Sequence, residues 1–264
     1  MSEQNRIAAT FQRCREEGRA ALVGYLTAFD PDREGSLERL VAACEAGLDV
    51  LELGVPFSDP TADGPDIQSA MVRALDAGAN LDGVLEIAAE LRRRFDLPIV
   101  LFSYANPLLR GGAEATIQRI VEAGIDGLLI VDMPPESAAE LRDPARAAGL
   151  DWVGLVAPTT TEARLRRIVG ASSGFVYTVS LTGVTGAALD ARNDALQGLL
   201  ARIRGAAEIP VVVGFGVREP AQVRELAPHA DGVVVGSALV RAGQEGAEAL
   251  AAKVRALRAA TSAG

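Results

Sequence analysis

The stretch Ala46-Gly-Leu-Asp-Val-Leu-Glu-Leu-Gly54 compresses a helix end, a turn and a strand into nine positions. Glycine after an alanine-rich helical segment supplies the left-handed cap that stops the helix and turns the chain into the next element. The same punctuation returns at Ala123-Gly-Ile-Asp126 and Ala148-Gly-Leu-Asp151, each followed at once by an apolar run. Working outward, the pattern predicts an opening helix from Arg6 to Glu17 and eight strands: Ala21–Leu26, Val50–Gly54, Ile99–Phe102, Gly127–Val131, Trp152–Val156, Phe175–Val179, Val211–Gly214 and Gly232–Val235. Between them run amphipathic segments such as Ser36–Glu45 and Thr116–Glu122, with apolar residues three and four apart. Strands joined by helical crossovers form a parallel sheet, and eight regular units suit closure into a (β/α)8 barrel with an extra N-terminal helix. An open doubly wound sheet is the competing architecture, but no Gly-x-Gly-x-x-Gly follows the first strand.

Composition narrows the function classes. At 264 residues, nearly half of them apolar, the chain is expected to form a single domain over 1–264. A net charge of −9 argues against nucleic acid, whose binding draws on clustered Lys and Arg. The dense basic run Arg92-Arg-Arg94 falls late in a helical segment, where cations complement the helix dipole. No stretch approaches the length of a membrane span, no signal-like segment opens the chain, and Cys14 and Cys44 lack metal-ligand spacing. A cytoplasmic protein with buried, reduced thiols is the expectation.

Two scarcities bear on chemistry. The only lysine is Lys253, in the C-terminal helical segment, and the only histidine is His229, in a short connection; both are expected at the surface. Schiff-base aldol chemistry needs a lysine near the strand ends, and metal-dependent aldol chemistry usually needs several imidazoles. Carboxylates and phenols remain as proton-transfer groups.

In such barrels chemistry sits at the C-terminal ends of the strands. Alternation along Leu51, Glu52 and Leu53 puts Glu52 opposite its leucine neighbours and so inside the barrel. A carboxyl buried there acquires a raised pKa suited to general acid-base work, or else forms a structural ion pair. The Gly/Pro-rich loop that follows carries Asp59 and Asp63. Glycines after three adjacent strands, Thr182-Gly-Val-Thr-Gly186, Gly214-Phe-Gly216 and Gly236-Ser-Ala238, match a barrel phosphate site built from backbone N–H groups and a helix N-terminus.

Leu51-Glu-Leu-Gly-Val-Pro-Phe-Ser-Asp-Pro-Thr-Ala-Asp-Gly-Pro65 resembles the signature of the tryptophan synthase alpha chains. Leu26-Thr-Ala-Phe-Asp-Pro31, Tyr104-Ala-Asn106, Val131-Asp-Met-Pro134, Ser180-Leu-Thr-Gly-Val-Thr-Gly186 and Gly214-Phe-Gly216 follow in that family's order, so the likeness spans essentially the whole chain. The resemblance implies retro-aldol cleavage of indole-3-glycerol phosphate to indole and glyceraldehyde 3-phosphate, by chemistry that needs no cofactor or metal. It gives Glu52 the general acid-base role, Asp63 the carboxylate on the indole N–H, and Tyr177 a place beside Glu52. Tyr25, Phe102 and Ile67 match the indole pocket. Gly186, Gly214, Phe215, Gly216, Gly236 and Ser237 match the phosphate binders, with Thr185 in the loop after the sixth strand. Leu181 stands where some members carry arginine.

The resemblance also implies a partner, a pyridoxal phosphate-dependent beta subunit in an alpha2-beta2 heterotetramer, contacted through Pro56, Asp59, Asn106, Pro107 and Asp132. Two leucines in Asn106-Pro-Leu-Leu-Arg110 either stand in water at that rim or pack locally. A neighbouring barrel, indole-3-glycerol phosphate synthase, would be expected to use a lysine on an early strand, and none is present. A stand-alone indole-releasing lyase would share every catalytic residue. A non-catalytic phosphate-binding regulatory barrel would need neither Glu52 nor Asp63.

Overall fold

A computed structural model describes residues 5–179, 194–206, 208–214 and 216–262. The strands are β1 (Ala21–Thr27), β2 (Val50–Gly54), β3 (Ile99–Ser103), β4 (Gly127–Ile130), β5 (Asp151–Trp152), β6 (Gly154–Val156), β7 (Val176–Val179), β8 (Val211–Gly214) and β9 (Gly232–Val235). All pair in parallel in the order β5-β4-β3-β2-β1-β9-β8-β7-β6. The two ends of that order are one stretch of chain interrupted at Val153, whose N–H still bonds to Leu128. The barrel therefore closes through its own fifth strand, and the expected single strand Trp152–Val156 is interrupted at Val153, its first half pairing with β4 and its second with β7.

The helices are α1 (Arg6–Glu16), α2 (Arg33–Glu45), α3 (Pro65–Asp76), α4 (Leu81–Arg92), α5 (Ala105–Leu109), α6 (Ala113–Glu122), α7 (Ala139–Ala147), α8 (Glu162–Ala171), α9 (Asp194–Ala206), α10 (Pro220–Leu226), α11 (Ser237–Gln244) and α12 (Ala247–Ala259). Side-chain alternation divides the core. Leu51, Leu53, Leu101 and Val213 face the helices, whereas Val23, Val50, Val100, Leu129 and Val212 fill the interior. The extra helix α1 plugs the bottom of the barrel with Ile7, Phe11 and Cys14, and Phe11 meets Phe175 at 5.6 Å between ring centroids. Strands β4 and β9 begin with glycine because a Cβ on Gly127 or Gly232 would press on Ile7 or Phe11 at 3.2 Å. Both thiols are buried, and burial raises Cys14 to about 11 and Cys44 to about 12.

Gly47, Gly124 and Gly149 take φ of 110°, 78° and 86°, as the helix-end reading requires. The aspartates that follow do work of their own at the bottom of the barrel. Asp49 accepts the Leu22 N–H at 2.9 Å and Asp126 accepts the Ile99 N–H at 2.8 Å, each clamping its strand to a neighbour. Asp231 does the same for the Val211 N–H at 2.9 Å. Arg92 is not only a dipole partner: its guanidinium bonds Asp126 and the Gly124, Phe95 and Leu97 carbonyls, tying α4 to the next turn. Leu108 is fully buried, so α5 packs locally and does not hold both leucines in water. Lys253 and His229 are half-exposed at the periphery, Lys253 paired with Glu219. Among the described residues no helix is long and apolar enough to cross a membrane.

Asp49 also accepts a two-pronged contact from Arg19, both bonds 2.8 Å, with each side chain 5% exposed or less. Burial alone would raise the Asp49 carboxyl, but Arg19, the Leu22 N–H and Arg258 outweigh it and hold its pKa below the usual carboxylate value. Removing one partner strands the other charge in the core. Asp49→Ala is expected to cost about 3–5 kcal/mol of unfolding free energy. Urea unfolding measures this, and a loss under about 1 kcal/mol would make the clamp dispensable.

Candidate active site

Glu52 sits on the inner face of β2, level with Tyr25 on one side and Val100 on the other, and is 1% exposed. Among the described residues, neither carboxyl oxygen has a hydrogen-bond partner. Burial without a counter-charge pushes its pKa up to about 8, so the group is mainly the neutral acid at pH 7. A structural ion pair, the other role open to a carboxyl here, is thereby removed.

Two tyrosines flank this carboxyl. Tyr25 and Tyr177 are buried, and both phenols are raised well above their usual value, by burial first and then by the charges of Asp63 and Glu52. Their rings explain the glycines that end two strands: a Cβ on Gly54 would lie 2.3 Å from the Tyr25 hydroxyl, and one on Gly214 would lie 2.3 Å from that of Tyr177. Gly214 thus makes room for Tyr177, whatever else it does.

Asp63 approaches from the loop between β2 and α3. Burial raises its pKa, while a hydrogen bond from Tyr104 works in the opposite direction. The Tyr104 hydroxyl donates to Asp63 Oδ2 at 2.7 Å and accepts the Ala62 N–H at 3.0 Å. Phe57 stacks on the Tyr104 ring with centroids 4.9 Å apart, and Gln68 Nε2 donates to the Asp63 carbonyl at 2.9 Å. The loop is therefore pinned to the end of β3 and to α3. Sequence reasoning missed Tyr104 in this role. Its signal was a polar-tipped aromatic just past a strand end, but the partner lies 41 residues away.

The expected pocket residues come together. Tyr25 and Phe102 meet edge to face at 5.0 Å and 73°, and Ile67, Ala70 and Val240 complete the same apolar group. Across it, β8 and β9 end side by side at Gly214 and Val235. Gly216 has φ of 81°, and Gly236 stands immediately before α11, whose first residue is Ser237. A Cβ on Gly236 would meet Tyr25 and Ile67 only at 3.5 and 3.6 Å, ordinary contact, so packing does not require glycine there. The first N–H groups of α11 have no partner within their own helix, which suits an anion. Leu181, Thr185, Gly186 and Phe215 lie outside the described residues.

Of the residues expected at the rim, Asp59, Asn106 and Asp132 are exposed and Pro107 is half-buried. Pro56 is buried and lies in the wall of a cleft that Phe57, Asn106 and Pro107 also line. Asp132 accepts the Ala105 N–H at 2.8 Å and fixes the start of α5. Among the described residues, no group of three or more His, Cys, Asp or Glu is placed to hold a metal.

Tyr104→Phe is expected to raise the Asp63 pKa further, because the carboxylate loses its donor, and to cost about 0.5–1.5 kcal/mol, since the exposed Ala62 N–H can turn to water. Carbon NMR of the Asp63 carboxyl across pH reads the first effect. An unchanged titration would mean that Tyr104 does not hold Asp63.

The chain resembles known proteins along nearly its whole length. The family model described as tryptophan synthase alpha chain matches residues 11–263. A tryptophan synthase alpha chain from Desulfosudis oleivorans is 47% identical, the match covering 97% of this chain and 99% of that one. Among solved structures, tryptophan synthase from Mycobacterium tuberculosis matches with a TM-score of 0.92 at 40% identity, over 99% of this chain and 100% of that one. The tryptophan synthase alpha subunit from Legionella pneumophila matches at 0.89 and 34% identity, over 98% of each chain. Barrel, strand-end carboxyl and full-length likeness agree, and the chain belongs to the tryptophan synthase alpha chain family.

Proposed function

We propose that this chain cleaves indole-3-glycerol phosphate to indole and glyceraldehyde 3-phosphate, using Glu52 as the general acid-base and Asp63 as the carboxylate on the indole N–H. The observation that carries this reading is the carboxyl of Glu52, buried, unpartnered and neutral at the mouth of an apolar barrel. Phosphate binding alone would need no such group, and a carboxyl kept buried at a cost in stability fits a proton-transfer role.

In this mechanism the Glu52 acid delivers its proton to C3 of the indole ring. Positive charge then develops on the ring nitrogen, where the Asp63 carboxylate, anchored through Tyr104, stabilises it. Glu52, now a carboxylate, takes the proton of the glycerol hydroxyl next to the ring. The C–C bond breaks, its electron pair restores the aromatic indole, and the hydroxyl carbon becomes the aldehyde. The protonated ring serves as the electron sink, so no Schiff base is needed.

Tyr25, Phe102 and Ile67 hold the indole, while Gly236, Ser237 and Gly216 offer backbone N–H groups to the phosphate. Tyr177 shields Glu52 and keeps its environment apolar. We further propose a cytoplasmic protein that hands indole to a pyridoxal phosphate-dependent beta subunit in an alpha2-beta2 assembly. The docking region would be the cleft of about 540 Å³ lined by Pro56, Phe57, Ser58, Asn106 and Pro107, with Asp59 exposed beside it.

Glu52→Gln keeps the side chain's shape and removes its proton chemistry. Turnover of indole-3-glycerol phosphate, with and without a beta subunit, is expected to fall at least about 10²-fold while substrate affinity changes little. More than roughly a tenth of wild-type turnover in the variant would remove Glu52 from the mechanism.

A further inference from the structure

Helices α3 and α11 carry a contact that the chemistry above does not use. Asp66 lies in the first turn of α3, three residues past Asp63, and its Oδ2 accepts a hydrogen bond from Arg241 Nη1 of α11 at 2.5 Å. Arg241 stands four residues past Ser237, one turn into the helix that begins at the phosphate cradle. Next to the ion pair, Val240 packs with Ala70 and Tyr25, joined by Ile67 and Phe102, and Ile67 Cδ1 is 3.6 Å from where a Cβ on Gly236 would stand. An apolar seam and a charged clamp thus join the two helices side by side.

The other end of α3 is held as well. Arg73, in its last turn, donates to both carboxyl oxygens of the buried Asp30 at 2.7 and 2.8 Å, in the connection after β1. A helix fixed at both ends does not pivot freely. The place of Asp63, just upstream of α3, therefore follows the place of α11. The Asp66 and Arg241 side chains are 26% and 40% exposed, and such pairs add little stability. Their effect is on geometry.

We infer that the Asp66–Arg241 pair is a positioning link that couples occupation of the phosphate cradle to the placement of Asp63, so that the phosphate end and the indole end of the substrate bind cooperatively. The inference rests on the proposed reading of Gly236 and Ser237 as the phosphate cradle. An anion at the start of α11 fixes the position of its first turn, Arg241 on the next turn holds Asp66, and α3 with Asp63 just upstream is already in place when indole arrives.

Calorimetric titration of the full chain tests this, with glycerol 3-phosphate and indole used alone and each in the presence of the other. In the wild type each ligand is expected to tighten the other at least about fivefold. Arg241→Gln should leave each single-ligand affinity within about twofold and abolish the mutual tightening. Asp66→Arg alone should also lose it, and the reversed pair Asp66→Arg with Arg241→Asp should recover most of it, which a merely structural role would not. Wild type that binds both ligands without mutual effect, tightening that survives in Arg241→Gln, or a reversed pair that recovers nothing would each overturn the link. Wild type that binds neither ligand would instead overturn the site reading beneath it.

Discussion

An ionisable side chain with no partner, set inside an apolar barrel, is the constraint that the rest of the structure serves. Glu52 lies among Val50, Val100 and the rings of Tyr25 and Tyr177, and none of the described residues neutralises it. The barrel keeps it dry from below, where Ile7, Phe11 and Cys14 of α1 close the bottom. Strand-end glycines let the two tyrosine rings lie close at the top. The thermodynamic consequence has a definite sign. With its pKa raised to about 8 in the folded chain, Glu52 stays protonated where the unfolded chain has already ionised. Its contribution to stability is whole below the unfolded value near 4.5 and is lost as pH rises through about 8. The fold tolerates this cost through its clamps at the bottom, where Asp49, Asp126 and Asp231 join neighbouring strands.

Most of that fold was legible because its signals are local. Gly47, Gly124 and Gly149 end helices through a backbone conformation that favours glycine, and the following runs become strands. What stayed hidden depends on contacts across the barrel. The split at Val153 shows only in which neighbour each half pairs with, β4 first and β7 second, and no residue type marks it. The aspartates after the cap glycines looked like turn residues, yet each bonds to residues distant in sequence. Leu108 was ambiguous for the same reason: a five-residue helix gives too little periodicity to decide which side is covered.

The site divides in the same way. Alternation along three residues of β2 was enough to point Glu52 inward, and the absence of a strand-end lysine removed Schiff-base chemistry before any fold was known. Asp63 carried no such signal, since a loop acid is ordinarily solvated; only the resemblance to the family singled it out. Its anchor, Tyr104, comes from the next strand, and the link from Asp66 to Arg241 spans 175 residues. Positions that do chemistry at strand ends are thus legible one at a time, whereas the contacts that hold them in register are not.

Burial alone holds Glu52 as a neutral acid. Infrared difference spectroscopy of the full chain, with Glu52→Gln as the reference that identifies the band, reads the protonated carboxyl stretch directly as pH is raised. A band assignable to Glu52 is expected to persist at pH 7 and to disappear with a midpoint near 8. Loss of that band near the ordinary glutamate value of 4.5 would contradict it.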